Sequence, residues 1–501
     1  MNEQRLCGVF LSAWGIVRLA LHSIPKGAAA LGCALITCFG LPGSVHAAVS
    51  HSAPTRYLVF QLFTYGGPSQ APLPPAPVIS ETVHDIISAI GTTGGDVDKL
   101  GFAVGPLTLD QSDGAIRQLI ETSFSVARAD NVAVAFHIDD SMFWPRGSAL
   151  DRSANLEWLD WNGTPNTGRR LDWGPAPTKI APQLCLNSPA VEAAARARAQ
   201  FIGAQIKTQL DSLRRDHRER LFAGVIAGWE TQIGQDFDTG RYLGYCALTN
   251  GGFSSGHQPA DPDAEISKVV QGYIELWAQQ LARAGIPADK IYSQIAVTAE
   301  TPAPGESGSI SYDKMTHFAP PSVAFGEHYL PGFSTYPEPG TFELIYSEVA
   351  AHGNPAWISA EGTNVVPTGM PGEPTMETYL GKMYNHGAVL VNIFSWGIGG
   401  KANANNFFRV ATENAEAISA YRKFLGGEQL VELPPSKNSF SPLALQQKIR
   451  EIQQELPSWV QANGPTKVAP LMQQLDGLLK AQQFLAADHV ADKILQILQT
   501  Q

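Results

Sequence analysis

The chain has 501 residues, 44% hydrophobic and 16% charged, with 35 Lys and Arg against 46 Asp and Glu and a net charge of −11. Such a composition buries a sizeable core and lies outside the disordered range. The acidic surplus, scattered along the chain, weighs against nucleic acid as a partner, and the length fits one large domain with an appendage.

Residues 1–48 stand apart. Arg5, Arg18 and Lys26 lie on the N-terminal side, an apolar stretch over 28–41 follows, and Val45-His46-Ala47 forms a small-residue cleavage pattern. This predicts an export signal over 1–48 and a periplasmic or extracellular protein, with the true start codon left open by the long basic region. The alternative is an uncleaved membrane anchor. Arg18 and Lys26 cut the apolar region into pieces shorter than a bilayer span, so no stable insertion is expected after cleavage. Cys7, Cys33 and Cys38 fall in this segment, which leaves Cys185 and Cys246 in the exported chain. Each follows a predicted strand on the same rim. They are read either as a disulfide joining two rim loops or as two unpaired buried thiols, because spacing alone does not give their separation.

Beyond the signal, short β-rich runs alternate with helical segments. Strands are predicted over 57–63, 100–104, 132–138, 222–228, 291–297, 323–326, 356–360 and 389–394, eight in a pattern that implies parallel pairing. The expected fold is α/β, a (β/α)8 TIM barrel over 49–430. Ser188-Pro189 opens a helix over 190–215 as cap and first-turn proline, and Gly285-Ile286-Pro287 stops the helix that begins near Asp263. Between Asp139 and Ser188 the chain has little helical periodicity but carries Trp144, Trp158, Trp161 and Trp173, four of its ten tryptophans. Long loops of this kind are usually functional, and the aromatic load argues against disorder. The two readings are a sugar-binding wall over the barrel mouth and a loop that packs its own small core.

Past residue 425, Glu432-Leu433-Pro434-Pro435-Ser436 reads as a linker. A small all-α unit over 437–501 follows, with helical periodicity over 442–456, 470–484 and 486–498 and a break at Asn463-Gly464-Pro465. Such a unit packs or mediates association. Its sequence holds no chemistry and names no partner.

Two glutamates each end a hydrophobic strand. Glu230 closes LFAGVIAGW and Glu361 closes PAWISA. In a parallel barrel the C-terminal strand ends converge on one mouth, so carboxyls remote in sequence can flank one bond. Alternation predicts Gly224, Ile226, Gly228 and Glu230 on one face of the fourth strand, and Trp357, Ser359 and Glu361 on one face of the seventh. Glycoside hydrolysis needs such a pair, one carboxyl protonated and the other ionised. Taken singly, either glutamate would more often cap a helix or pair with an arginine; the joint placement shifts that balance.

With these residues the chain resembles the clan A glycoside hydrolases, retaining (β/α)8-barrel glycosidases, over roughly residues 56–425. The resemblance implies Glu230 in Gly228-Trp229-Glu230 as acid/base and Glu361 in Ser359-Ala360-Glu361-Gly362 as nucleophile, with retention. It further implies that His328-Tyr329 after strand six holds the tyrosine that contacts the nucleophile. Ser395-Trp396-Gly397 after strand eight would supply, through Trp396, the aromatic floor of the sugar subsite. Where the clan has asparagine before the acid/base, this chain has Trp229, so the contact to the sugar 2-hydroxyl must come from elsewhere.

His137-Ile138-Asp139-Asp140 ends strand three. It reads as a grip on sugar hydroxyls through His137, Asp139 and Asp140, or as a loop-anchoring aspartate network with a satisfied histidine. A metal held by His137 and Asp139 is a further reading, but the familiar metal-hydrolase motifs are absent, as are GxSxG and a phosphate loop, so no metal or cofactor is expected. Glu327 is a rival carboxyl for either role, and Glu300 a weaker one. Gln232, Gln235 and Asn392 are candidate polar contacts. The expected function is an exported glycoside hydrolase acting on a polysaccharide or oligosaccharide through Glu230 and Glu361. The alternatives are a non-catalytic carbohydrate-binding barrel of the cell envelope, which shares with the enzyme an expected groove of Trp144, Trp158, Trp161 and Trp396 but does not require Glu230 and Glu361 to face each other across it, and a metal-dependent polysaccharide deacetylase built on His137, Asp139 and Asp140.

Overall fold

The first strand, β1 (Arg56–Phe63, RYLVFQLF), is apolar on both sides, as a strand covered on both faces must be. Leu58, Phe60 and Leu62 face a layer of helices, while Tyr57 and Val59 face a second, separate apolar cluster. The computed structural model describes residues 54–63, 76–171, 178–297, 299–300, 311–312, 319–335, 341–362, 375–396, 413–432, 442–480 and 484–499. The predicted export segment, Cys7, Cys33, Cys38, Trp173, Gly397 and the linker residues 433–436 lie outside them.

Counting barrel strands only, β2 (Asp98–Leu107), β3 (Ala133–Ile138), β4 (Phe222–Ala227), β6 (Gly332–Thr335), β7 (Trp357–Gly362) and β8 (Ala388–Ile393) join β1 in one parallel sheet. Strand β5 comes in two pieces. Ile291–Tyr292 pairs with β4, and Ile295–Ala296 pairs with β6. Since β8 also pairs with β1, the sheet closes through β5 into a ring of eight. Helices α1 (Ala76–Ile90), α2 (Asp113–Asp130), α3 (Pro189–Arg215), α4 (Tyr245–Asn250), α5 (Pro262–Arg283), α6 (Thr341–Ala351), α7 (Met376–Tyr384) and α8 (Ala415–Leu425) interleave with the strands. This is a (β/α)8 TIM barrel. Of the predicted helix signals, Pro189 takes the first turn of α3 and α5 stops just before Gly285 (φ 100°), but Ser188 makes no side-chain cap bond and donates its hydroxyl to Asn155 Oδ1 at 2.7 Å. Asp261, not marked in the sequence, caps α5 by accepting from the Ala264 N–H at 3.0 Å.

Strand six is displaced from its predicted place. Residues 323–326 are not a strand; Pro321–Ala324 is a 3-10 turn, and β6 is Gly332–Thr335. Pro320-Pro321 favours a helical turn, and the apolar Val323 and Ala324 that read as strand are buried because the turn packs on α5. Glu327, His328 and Tyr329 therefore precede β6 instead of following it.

Strict alternation also fails on two strands. On β4 the register slips beside Gly224 (φ +145°), so Ala223 and Ile226 both face the barrel interior. On β7, Trp357 belongs to the outer core, Ser359 hydrogen-bonds Thr335, and Ile358 and Ala360 point inward. Glu361 does not share a face with Trp357 and Ser359, because a bulge between Ser359 and Gly362 reverses the alternation at its position.

The inward face changes character along each strand. On β1 it runs Tyr57, Val59, Gln61; on β3, Ala133, Ala135, His137; on β8, Leu390, Asn392. The N-terminal end of the barrel is closed by Tyr57 and Tyr292, with the Lys290 ammonium 4.5 Å from the Tyr57 ring centre. At the opposite end, Gln61, His137, Gln294 and Asn392 are fully buried polar groups. Polarity thus marks the C-terminal mouth before any ligand is considered.

The chain divides into two compact units, residues 54–446 and a second that includes 447–501. In the latter, α9 (Pro442–Asn463), α10 (Ala469–Lys480) and α11 (Phe484–Gln499) bury Ile452, Leu475 and Ile494, and Lys448 pairs with Asp492 at 2.8 Å. Helix α9 continues through Pro457, past its predicted end. Among the described residues no helix is long and apolar enough to cross a membrane.

At Gly332 a Cβ would lie 2.0 Å from the Ser293 carbonyl oxygen, at the break in β5. The substitution Gly332→Ala should force β6 away from β5 and lower stability by roughly 2 to 4 kcal/mol, read as a lower urea midpoint at unchanged slope.

Candidate functional site

Glu230 leaves β4 on a turn, Gly228-Trp229-Glu230, in which Glu230 itself takes a left-handed backbone (φ 51°). A non-glycine residue there is costly, and such outliers concentrate at functional sites. The turn is held on one side by stacking of Trp229 on the His137 ring, centres 3.9 Å apart and planes 8° from parallel. On the other side the Thr231 hydroxyl donates to Asp140 Oδ2 at 2.7 Å. Glu230 is 4% exposed and Glu361 8%.

The two carboxyls are joined by a hydrogen-bond chain through residues that motif reading passed over. Gln294, lodged in the break of β5, donates from Nε2 to Glu361 Oε2 (3.1 Å) and to Ser334 Oγ (2.9 Å), and Ser334 Oγ bonds Glu230 Oε1 (2.7 Å). Three hydrogen bonds laid end to end bound the separation, which keeps the carboxyls within the upper limit of about 9.5 Å for a glycosidase pair. The carboxamide of Gln294 is oriented from behind, where its Oε1 lies 2.5 Å from His137 Nε2. Burial holds His137 down to about 3, so the ring is neutral, and the contact assigns its proton to Nε2. His137 Nδ1, unprotonated in that tautomer, lies beside the Gln61 carboxamide, whose oxygen accepts from Asn392 Nδ2 at 2.8 Å.

The other predicted site residues divide. Asp140 serves the fold: besides holding Thr231, its backbone carbonyl accepts from the Tyr273 hydroxyl at 2.8 Å. Asp139 Oδ1 accepts the backbone N–H groups of Ser141 (3.1 Å) and Met142 (2.7 Å), an Asx turn, while Oδ2 has no hydrogen-bond partner among the described residues. Burial, then the charge of Asp140, pushes Asp139 up to about 7; burial lifts Asp140 to about 6. Arg169, which no motif marked, supplies the buried positive charge that acts on Asp139, Asp140 and Glu230. Its Nη1 and the Oε1 of Gln232 also lack partners among the described residues.

Several placements differ from the expectations. His328 and Tyr329 sit on the N-terminal side of β6, away from the mouth. The Tyr329 hydroxyl donates to the Val323 carbonyl, and Glu275 of α5 takes the backbone N–H groups of Glu327 and His328 and bonds the His328 ring. Glu275, Glu327 and His328 together have metal-ligand spacing, but Glu275 is already the anchor of that loop. Trp396 is no floor of the mouth: it is buried in the helix layer, edge-on to Phe60, with its indole N–H donating to Asp85. Trp144 is buried in the outer core and donates to the Pro182 carbonyl, and Trp161 packs edge-on against Tyr245. The long loop packs onto the outer core through Leu150, Leu156, Leu159 and Leu184, with half-buried Trp158 donating to the Ser153 carbonyl. Among the described residues the group with metal-ligand spacing is Glu275, Glu327 and His328, and His137, Asp139 and Asp140 do not form one. Glu300 stands on a short antiparallel ladder with Ser311.

Two of the polar residues that motif reading missed were marked in one respect: Gln61 and Gln294 interrupt mostly apolar strand runs. A buried amide in such a run requires a partner.

No protein-family model and no curated protein matches the sequence. Solved structures similar to the chain include the catalytic domain of a β-amylase from Paenibacillus polymyxa, at 8% identity and TM-score 0.44, covering 76% of this chain and 100% of that one. A glycoside hydrolase family 5 enzyme from Prevotella bryantii B14 aligns at 10% identity and TM-score 0.36 over 73% of this chain and 96% of that one. A D-psicose 3-epimerase aligns at 12% identity and TM-score 0.35 over 74% and 100%. Likenesses this distant do not speak to chemistry.

A carboxyl whose pKa is raised on folding favours the native state only while protonated, so the contribution of Asp139 is complete below about pH 4 and is lost as pH rises to about 7. Asp139→Asn should flatten that part of the stability profile and raise stability at pH 8, by at most roughly 4 kcal/mol. Urea titrations at pH 4.5 and 8 measure it, and an unchanged slope between them would show Asp139 ionised throughout.

Proposed function

We propose that the protein is an exported glycoside hydrolase that cleaves a polysaccharide or oligosaccharide with retention, Glu230 acting as acid/base and Glu361 as nucleophile. The observation that carries this reading is the unequal character of the groups bound to Glu361 Oε2 and Glu230 Oε1. Glu361 Oε2 receives an amide N–H. With the Gln294 oxygen committed to His137, that nitrogen can only donate, so it favours an ionised Glu361. Glu230 Oε1 instead meets the Ser334 hydroxyl. A hydroxyl donates to a carboxylate or accepts from a carboxylic acid by rotation, so Glu230 can hold a proton and release it without losing the bond.

In the first step Glu230 would protonate the departing glycosidic oxygen while a Glu361 oxygen attacks the anomeric carbon, breaking the C–O bond and forming a glycosyl ester. Water, deprotonated by Glu230, would then release the sugar. The buried Arg169 charge keeps a cluster of acidic groups tolerable beside the reacting pair. Asp139 Oδ2 and Gln232 Oε1, both buried acceptors without a partner among the described residues, are suited to sugar hydroxyls. The non-catalytic carbohydrate-binding barrel is the alternative. It makes no use of the inequality between the two carboxyls.

Screening against secreted bacterial and plant polysaccharides should find a substrate. On it, Glu230→Gln and Glu361→Gln should each lose about a thousandfold or more in turnover while retaining binding. Wild-type protein that binds a glycan yet releases no product would favour the alternative. Product anomers read by NMR test the stereochemistry, since inversion would recast Glu361 as the base that activates water. Gln294→Leu removes the shared donor and should lower kcat about a hundredfold with a smaller effect on KM, as expected for a group that orients both carboxyls.

A further inference from the structure

We infer that Cys185 and Cys246 are partners in a disulfide that clamps the long tryptophan-bearing loop after β3 to the loop after β4, the segment that begins with Glu230. The two cysteines are 61 positions apart yet side by side. The Asn250 carboxamide nitrogen lies 3.3 Å from Cys185 Sγ and 3.8 Å from Cys246 Sγ, and the two thiols are within hydrogen-bonding reach of each other. Both are buried and unbonded in the structure. They lie on a seam already stitched by weaker contacts. Asn187 Nδ2 donates to the Ala247 carbonyl (2.9 Å), Arg241 to the Leu159 carbonyl (2.6 Å), and the Cys246 N–H to Glu157 Oε2 (3.2 Å). The Asp236 carboxylate further along takes the N–H and hydroxyl of both Thr167 and Thr239. A covalent link at one end of this seam would hold the loop pair shut and restrict the freedom of the unfolded chain across the intervening residues.

Closure requires each thiol to lose a proton and the pair to lose two electrons as the S–S bond forms. A disulfide oxidant such as glutathione disulfide accepts them and leaves as two thiols. Burial pushes the Cys185 thiol well up, so in the closed seam it is neutral and inert, and the bond must form while the seam is open during folding.

The experiment is refolding of the full chain from denaturant in a glutathione redox buffer, followed by alkylation and non-reducing peptide mapping. The expected result is a peptide pair joined through Cys185 and Cys246, two hydrogens lighter than the separate peptides. Oxidised protein should also unfold roughly 5 °C above protein refolded with reductant, a difference that the Cys185→Ser, Cys246→Ser double variant abolishes. Recovery of both cysteines as separately alkylated thiols, or as links to Cys7, Cys33 or Cys38, would overturn the inference, and it would do so whether or not the protein hydrolyses a glycan.

Discussion

A single carboxamide organises the mouth of this barrel. Gln294 uses both amide hydrogens, one toward Glu361 and one toward Glu230 by way of Ser334, and its oxygen faces His137. The arrangement is possible because β5 is interrupted. A continuous strand would commit residues 293 and 294 to a regular ladder; instead the two halves serve different neighbours, and the gap admits the Gln294 side chain to the interior. Ser293 completes the break by accepting the Gly332 N–H on its hydroxyl at 3.1 Å. Barrel closure and site assembly therefore share the same few atoms.

The polar mouth is sustained by what lies beneath it. Below Gln61 and His137 the interior is filled by Val59, Ala103, Ala135, Ile226 and Leu390, and below these by two tyrosines. Small residues leave room at the level where amides must meet, and the low dielectric strengthens each of their hydrogen bonds. It also keeps His137 neutral, since burial opposes the imidazolium more than its hydrogen bond to Gln294 favours it. A charged ring would change the donor pattern around Gln294 and with it the distinction between the two glutamates.

Much of the architecture was legible in the sequence, because seven of the eight strands are apolar runs bounded by helix signals. The sixth was not. Val323-Ala324 satisfied an apolar pattern for a different reason, burial of a proline-initiated turn, while β6 itself is only four residues with two hydroxyls. That displacement carried His328 and Tyr329 to the wrong end of the barrel. Glu230 and Glu361 were found because strand ends are punctuated by charge. Gln294 and Ser334 were passed over because neither sits in a catalytic motif; only Gln294, within a mostly apolar run, was set apart by its position. Trp144 and Trp396 show the reverse case, where an aromatic that looks like a ligand surface serves packing.

The two glutamates reach the mouth through backbone irregularities that no periodic reading supplies. Regular alternation would turn Glu361 toward the helix layer, where Ser359 already meets Thr335 and Tyr379 bonds Thr335. The bulge on β7 reverses that direction and brings Glu361 into register with Ser334 across the β6–β7 pair. Ser334 is thus at once the sheet neighbour of one carboxyl and the hydrogen-bond partner of the other. On the opposite side Glu230 adopts its left-handed backbone at a cost of roughly 1 to 3 kcal/mol, offset locally by the Trp229–His137 stack and the Thr231–Asp140 bond. Relaxing either irregularity would leave the fold intact and separate the carboxyls, so the strain is better explained by the pair than by the barrel.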